Sequence, residues 1–444
     1  MADTVSTDVL DSSELLVIEN FKNLKDEGKL NAALSFLNDA ALERFESMGY
    51  PHRTHEMFTF VNRKELTATQ FDCRYGPERE PDADTVRRYT TEGCDSSVIV
   101  IVDGKYNEEL SNVDALKGAV ELTRLEDAAC SGWVRERLAE SLELEKDAFA
   151  LINSAFTAGV VVVDIADGAR LETPLQILNL STPSSGKSVM TVPRVMIRAG
   201  SAARAGMVVK YVGNQDGFVN SFTDILVEKE AEVNYSQVQL EPGEGYHFSK
   251  SRVTVKGNGK FFAVNGIGGG RLVRSSYEVA LLEEGAELGL SSVSVLRGAE
   301  QAHHFVLVRH EAPRCLSNQW FRNIVNDRAR TSVNSTVKVL PGAQETVSTQ
   351  LINNLMLSPD ARADNKPNLM IYADDVKCTH GATVAQLDDE QLFYLRSRGM
   401  PEAGARSLLT TSFARSIIDK VNYPPVAREM ADTLLGKLED AANG

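Results

Sequence analysis

Cysteine is scarce in this chain: five in 444 residues, at positions 73, 94, 130, 315 and 378. The count is odd, the spacing is wide, and no Cys-x-x-Cys occurs. A disulfide framework and a structural zinc knot are thereby disfavoured, and a reducing compartment fits best. Long apolar runs are missing too. The longest, Val160 to Val163 with its neighbours, has the length of a strand, far short of the roughly 20 residues that span a bilayer. Positive charge is under-represented, with 47 Lys and Arg against 62 Asp and Glu for a net charge of −15. Such a field repels phosphate, so nucleic acid is not an expected partner. The start also lacks basic residues: Asp3, Asp8, Asp11 and Glu14 all precede the first Lys. A secretory signal wants a positive start and an apolar run, and a transit peptide wants Arg without acids. Neither pattern is present, so a cytoplasmic location is expected, away from membranes.

What is present is an ordinary globular balance, 43% hydrophobic and 25% charged, long enough for two or three packed units. Residues 10 to 48 carry Leu15, Leu16, Ile18, Phe21 and Leu24, then Leu34, Phe36, Leu37, Leu42 and Phe45, at three- and four-residue steps. That period predicts helix, divided at Gly28 and ended by Gly49-Tyr50-Pro51. Further on, Val98 to Val102 reads as a strand, and Leu116 to Leu122 and Gly132 to Ala150 read as helices.

Beyond residue 158 the character changes. Short runs rich in Val, Ile, Thr and Leu, broken by Gly, Asp, Asn and Pro, continue for about 220 residues. One motif recurs: Ile165-Ala166-Asp167-Gly168-Ala169-Arg170-Leu171 resembles the stretches Val227 to Val233, Leu282 to Leu288 and, less closely, Val339 to Ala343. It reads as strand, tight polar corner, small residue, strand. Recurrence at roughly 30 residues, or twice that, predicts stacked coils, as in a parallel β-helix. The rival is a β-sandwich whose hairpins turn at Asp167-Gly168, Asp216-Gly217, Asn258-Gly259 and Asn265-Gly266. Helix returns at Asp388 to Ser397, from Pro401 to Val421, and after Pro424-Pro425, where Val426, Met430, Leu434, Leu435 and Leu438 form a stripe.

Several chemical motifs fail on inspection. Gly186-Lys187-Ser188 lacks the earlier glycine of a phosphate-binding loop and leads into a strand-like stretch. Gly266 to Gly270 has the wrong spacing for a dinucleotide loop and no helix after it. Alternation puts His304 and His310 on one face of a strand and His303 on the other, so a metal would need a third ligand such as Cys315 or Glu311. Asp374 and Asp375 are adjacent and would point to opposite faces, which argues against a carbohydrate-cleaving β-helix enzyme. No Gly-x-Ser-x-Gly elbow occurs.

Cys378-Thr379-His380 is different. In an extended strand residues i and i+2 share a face, which places a soft sulfur donor beside an imidazole, a pairing suited to iron, zinc or an iron–sulfur species. Two ligands do not complete a four-coordinate site, so the remainder comes from another chain or a ligand. The surrounding run Ala373-Asp374-Asp375-Val376-Lys377-Cys378-x-His380-Gly381-Ala382-Thr383 resembles the SufB/SufD family, and within it the SufD branch. So do Leu392-Phe393-Tyr394-Leu395-x-Ser397-Arg398-Gly399 and Gln350-x-x-Asn353-Asn354-Leu355. Departures fall at Met370, where the family usually has an acid, at Arg322-Asn323 in place of Lys-Gly, and at Met57 to Phe60 in place of Trp-x-Tyr-Thr.

The resemblance implies a right-handed parallel β-helix between helical flanks, with a mostly helical unit over 1–157, the coil over 158–386 and a helical domain over 387–444. It implies a non-enzymatic scaffold of cytosolic iron–sulfur cluster assembly. Such a scaffold pairs with SufB through the β-helix and docks SufC, an ABC-type ATPase, through the last helices. His380 falls on a proposed cluster ligand and Cys378 on the nearby cysteine position; Tyr394, Arg398 and Phe413 fall on the ATPase side. No stably bound cofactor is implied, only iron or a cluster in transit at the interface with SufB. A homodimer beside the heterodimer, a SufB-like paralogue, a β-helix carbohydrate-active enzyme and a plain self-associating solenoid stay open as alternatives.

Overall fold

Apolar residues at every second position of the short runs need a common interior, and parallel coiling supplies one. A computed structural model describes residues 12–51, 55–126, 132–184, 188–213, 216–240 and 244–442. Cys130, Gly186 and Lys187 lie outside the described residues. The chain winds as a β-solenoid of about seven turns, each turn placing one strand in a front sheet and one in a back sheet. The front ladder runs from Val161–Ile165 to Arg362–Ile371 and the back ladder from Leu175–Ser181 to Val376–Ala385. Every pairing between coils is parallel and holds its register over up to ten residues. The hairpin sandwich is therefore excluded. Asn265-Gly266 sits inside the strand Lys260–Ile267 rather than at a turn.

The repeated motif is the corner between front and back strands. One residue in each corner has a left-handed backbone: Gly168, Ala202, Glu230, Asn258, Gly285, Arg314 and Glu345, with φ between 53° and 72°. Glycine takes this conformation without a Cβ clash, and Asn tolerates it better than most residues. Behind the corner a column of small residues, Ala203, Ala231, Ala286, Cys315 and Thr346, is fully buried where the two sheets converge. The motif copies recognised in the sequence mark alternate coils. The intervening corners carry Ala202, Asn258 and Arg314 and do not look alike.

The sheets reach back before residue 158. Val98–Val102 pairs in parallel with Leu175–Ser181, and Val120–Arg124 pairs antiparallel with Val161–Ile165. The helix expected over Leu116 to Leu122 is thus a 3-10 turn, Asp114–Leu116, followed by a strand. Val120 and Leu122 pack on the solenoid core, and that burial at alternate positions overrides the local helical pattern. The helix expected over Gly132 to Ala150 is two helices, Gly132–Leu144 and Ala148–Phe156, the second started by the Asp147 carboxylate, which accepts from Phe149 N at 3.0 Å.

N-terminal helices cover the front sheet. Phe21, Phe45, Phe58, Phe149 and Phe156 pack on Phe218, Phe248 and Phe305, with Phe149 and Phe248 ring centroids 4.7 Å apart. Under this layer lies a buried charge cluster. Glu145 takes Lys250 at 2.6 Å and Arg252 at 2.7 Å, and Arg274 meets Asp147 at 2.6 Å. C-terminal helices Glu402–Ile418 and Pro424–Ala442 cover the back sheet, where Ile417, Ile418, Met430 and Leu434 bury Val264, Val293 and Ile324. No helix among the described residues is long and apolar enough to cross a membrane.

Candidate functional site at the open end of the solenoid

The two last strands, Arg362–Ile371 and Val376–Ala385, each have a neighbour on one side only. Their outward edges carry unpaired backbone N–H and C=O groups, a template for another strand. Pro367, which has no N–H to give, is tolerated in such an edge strand. The apolar side chains Met370, Ile371 and Tyr372 are exposed at the same end.

Cys378 and His380 stand on this last strand, on its inward row. Following the register backwards, Cys378 is preceded by Ser348, Ser317, Leu288, Phe261 and Val233. His380 is preceded by Gln350, Gln319, Leu290, Ala263 and Tyr235. Both rows start apolar and turn polar in the last coils before the open end. Cys378 is half-buried, reduced and packed against the end of the core, while His380 is exposed. Burial pushes the Cys378 thiol up from its ordinary range, partly offset by a hydrogen bond from the Ser348 backbone. The sulfur is therefore a thiol in the free chain and becomes a good ligand once a cation replaces its proton.

The polar interior behind them is connected. His310 Nε2 lies 2.8 Å from Ser317 Oγ, and Ser317 Oγ lies 2.9 Å from Ser348 Oγ. Ser335 Oγ donates to Gln319 Oε1 at 2.6 Å and accepts from Gln350 Nε2 at 2.8 Å. Asn323 Nδ2 donates to Asn354 Oδ1 at 2.9 Å, and Asn354 Nδ2 donates onward to Thr383 O at 2.9 Å. These rows escaped the sequence reading, although polar residues at alternate positions of Leu316–Val325 and Thr346–Met356 were their signal.

The other residues singled out from the sequence are dispersed. His304 faces the interior beside Ser294 at 3.3 Å, and His303 faces outward to Ser332 at 2.7 Å, as alternation requires. Glu311 is engaged by Arg309 at 2.8 Å. Among the described residues no three His, Cys, Asp or Glu side chains are grouped to hold a metal ion. Cys378 and His380 alone do not complete a four-coordinate metal site. Tyr394, on the helix Asp389–Ser397, and Arg398, which caps its C-terminus, come together, the guanidinium 5.3 Å from the ring centroid. Phe413 does not join them: it lies half-buried against the back sheet, with Arg322 4.6 Å from its ring. The exposed aromatic beside Tyr394 is instead Phe393, 74% exposed against 57% for Tyr394. Phe393 was read only as part of a motif, because helical periodicity does not say which aromatic the fold leaves uncovered.

Comparison with known families decides the identity. A model of the SufBD core domain of the SUF iron–sulfur cluster assembly system matches residues 180–413, and one of the SufBD N-terminal region matches residues 19–177. The chain belongs to the SufBD family. An iron–sulfur cluster assembly SufBD family protein of Synechocystis is 28% identical over 402 residues, 86% of each chain. The iron–sulfur cluster assembly protein SufD of Escherichia coli is 28% identical over 381 residues, 85% of this chain and 87% of that one. The chloroplastic protein ABCI7 of Arabidopsis thaliana is 26% identical over 427 residues, 92% of this chain and 88% of that one. The SufBD assignment covers both the coil and the helices before it, and the SufD-like character seen in the Cys378–His380 segment agrees with it.

Proposed function

We propose that this SufBD protein is a non-enzymatic scaffold subunit of cytoplasmic iron–sulfur cluster assembly, with its chemistry completed at the open end of the solenoid by a SufB-type partner. The observation that carries this reading is the placement of Cys378 and His380 on the inward row of a strand whose outer edge is unpaired. A thiol and an imidazole there suit iron or a nascent cluster as cargo. A second coil end, adding strands to the edges of Arg362–Ile371 and Val376–Ala385, would bring the remaining ligands and cover Met370, Ile371 and Tyr372. The division of labour follows the chain: the helices within 1–157 shield the coil, 158–386 pairs, and 387–444 presents the ATPase partner with the Phe393–Tyr394–Arg398 face.

Deleting residues 387–444 would be an ambiguous test of that last point, because Ile417, Met430 and Leu434 cover apolar side chains of the back sheet. Phe393→Ser with Tyr394→Ser is sharper, since both side chains are exposed. Co-purification with a SufC-type ATPase should be lost while the melting curve stays unchanged; retained binding refutes the docking face. For the coil end, His380→Ala should abolish cluster formation on the anaerobically reconstituted complex, and an unchanged yield and rate refute the ligand role.

A further inference from the structure

Gln350 is fully buried on the inward row, directly behind His380 in register. Its amide orientation is fixed chemically. Nε2 lies 2.8 Å from Ser335 Oγ and 3.3 Å from the Ser335 carbonyl oxygen, which can only accept, so this edge of the amide is the NH2 group. Ser335 stands on the facing strand Arg330–Val339 of the same coil and is itself tied at 2.6 Å to Oε1 of Gln319, one coil behind. The NH2 edge is thus spent across the coil interior on the facing strand, and Oε1 has no hydrogen-bond partner among the described residues although it is buried. Leaving a buried carbonyl unpaired costs about 1–3 kcal/mol, so such an acceptor calls for a donor. The neighbouring row shows how these amides work. Asn354 accepts from Asn323 of the coil behind and donates to Thr383 of the strand ahead. For Gln350 the strand ahead supplies His380.

We propose that Gln350 is a positioning residue for His380, its Oε1 accepting the imidazole N–H from inside the coil. One ring nitrogen is then committed to the protein as a donor. The other keeps its lone pair and faces the open end. Metal-binding histidines are ordinarily held this way, by an acceptor on the second ring nitrogen that fixes tautomer and ring orientation. The Gln319–Ser335–Gln350 chain acts as the rigid stem. The importance of this contact for cluster assembly rests on the reading of His380 as a ligand; the contact itself does not.

The test uses the full chain labelled with 15N in histidine, near pH 8, with the His380 signals assigned by their loss in His380→Ala. Long-range proton–nitrogen correlation should give two well-separated ring-nitrogen signals for His380, those of one neutral tautomer. Gln350→Met keeps an unbranched side chain without the acceptor, and the two signals should move together toward a tautomer average. Gln350→Glu keeps an acceptor and should keep them apart. If Gln350→Met does not fold, Ser335→Ala, which frees the stem, should narrow the separation instead. An averaged ring in the unaltered chain, or separate signals that survive removal of the acceptor, would overturn the proposal. A fixed tautomer together with His380-independent cluster assembly would leave the contact standing and remove the ligand reading. A mobile ring with His380-dependent assembly would do the reverse.

Discussion

Three histidines are buried on one strand, Gln301–His310, and their protonation should govern stability in mild acid. Burial holds the His304 and His310 rings neutral down to about 4. Burial, together with the positive Arg330 nearby, holds His303 neutral down to about 3. In the unfolded chain each titrates near the ordinary value of about 6.5. All three values are depressed on folding, so between 6.5 and 4 the unfolded state binds more protons, and stability is present above 6.5 and lost as pH falls. At about pH 5 the linkage comes to roughly 2 kcal/mol per histidine, or about 6 kcal/mol together, against a typical total of about 5–15 kcal/mol. The assay is the urea midpoint by far-ultraviolet circular dichroism at about pH 7 and pH 5, repeated on His303→Gln, His304→Gln and His310→Gln. Glutamine keeps hydrogen-bonding capacity and does not titrate, so each variant should remove about a third of the pH dependence. Glu278 belongs to a different window. Burial alone would raise its carboxyl, but Lys250 and Arg252 outweigh that and hold it at about 2, so its contribution is lost only below the ordinary carboxylate range. A midpoint unchanged from pH 7 to 5, or a loss that begins only where carboxylates titrate, would refute the claim that these rings are held neutral.

Further expectations concern the packing around the coil. Glu145→Ala leaves the buried Lys250 and Arg252 with Glu278 as their remaining carboxylate, which should cost about 3–5 kcal/mol in chemical denaturation; a loss below about 1 kcal/mol would show that water screens the cluster. Ala286→Leu inserts bulk into the fully buried corner column and should cost about 1–3 kcal/mol by the same measurement. Asn354→Ala leaves the amide of Asn323 and the Thr383 carbonyl without their partner; hydrogen exchange should then quicken in Val376–Ala385 more than in the coils behind it.

The solenoid was legible because its corners repeat: a left-handed residue at Gly168, Glu230 and Gly285 followed by a small side chain is written directly in the sequence. Intervening corners left the period open between one coil and two, because Ala202 and Arg314 adopt the same backbone without a sequence signal, held by the strands on either side. The strand Val120–Arg124 was missed for a related reason, since only its partner Val161–Ile165, distant in sequence, turns a helix-like pattern into strand. At the site, the Cys378–His380 spacing was readable from strand alternation. That the strand is the last of its sheet, and that polar rows run behind it, depends on register between residues about 30 apart, which periodicity alone does not give.

The central claim is that His380 binds the nascent cluster at an interface between two chains. Its most direct test is electron spin-echo spectroscopy of the reduced cluster on the anaerobic complex, with 15N-histidine in this chain only. The account predicts a hyperfine coupling to an imidazole nitrogen that changes with the isotope and disappears in His380→Ala. A cluster with no coupling to the labelled chain, or a coupling that survives His380→Ala, would contradict it.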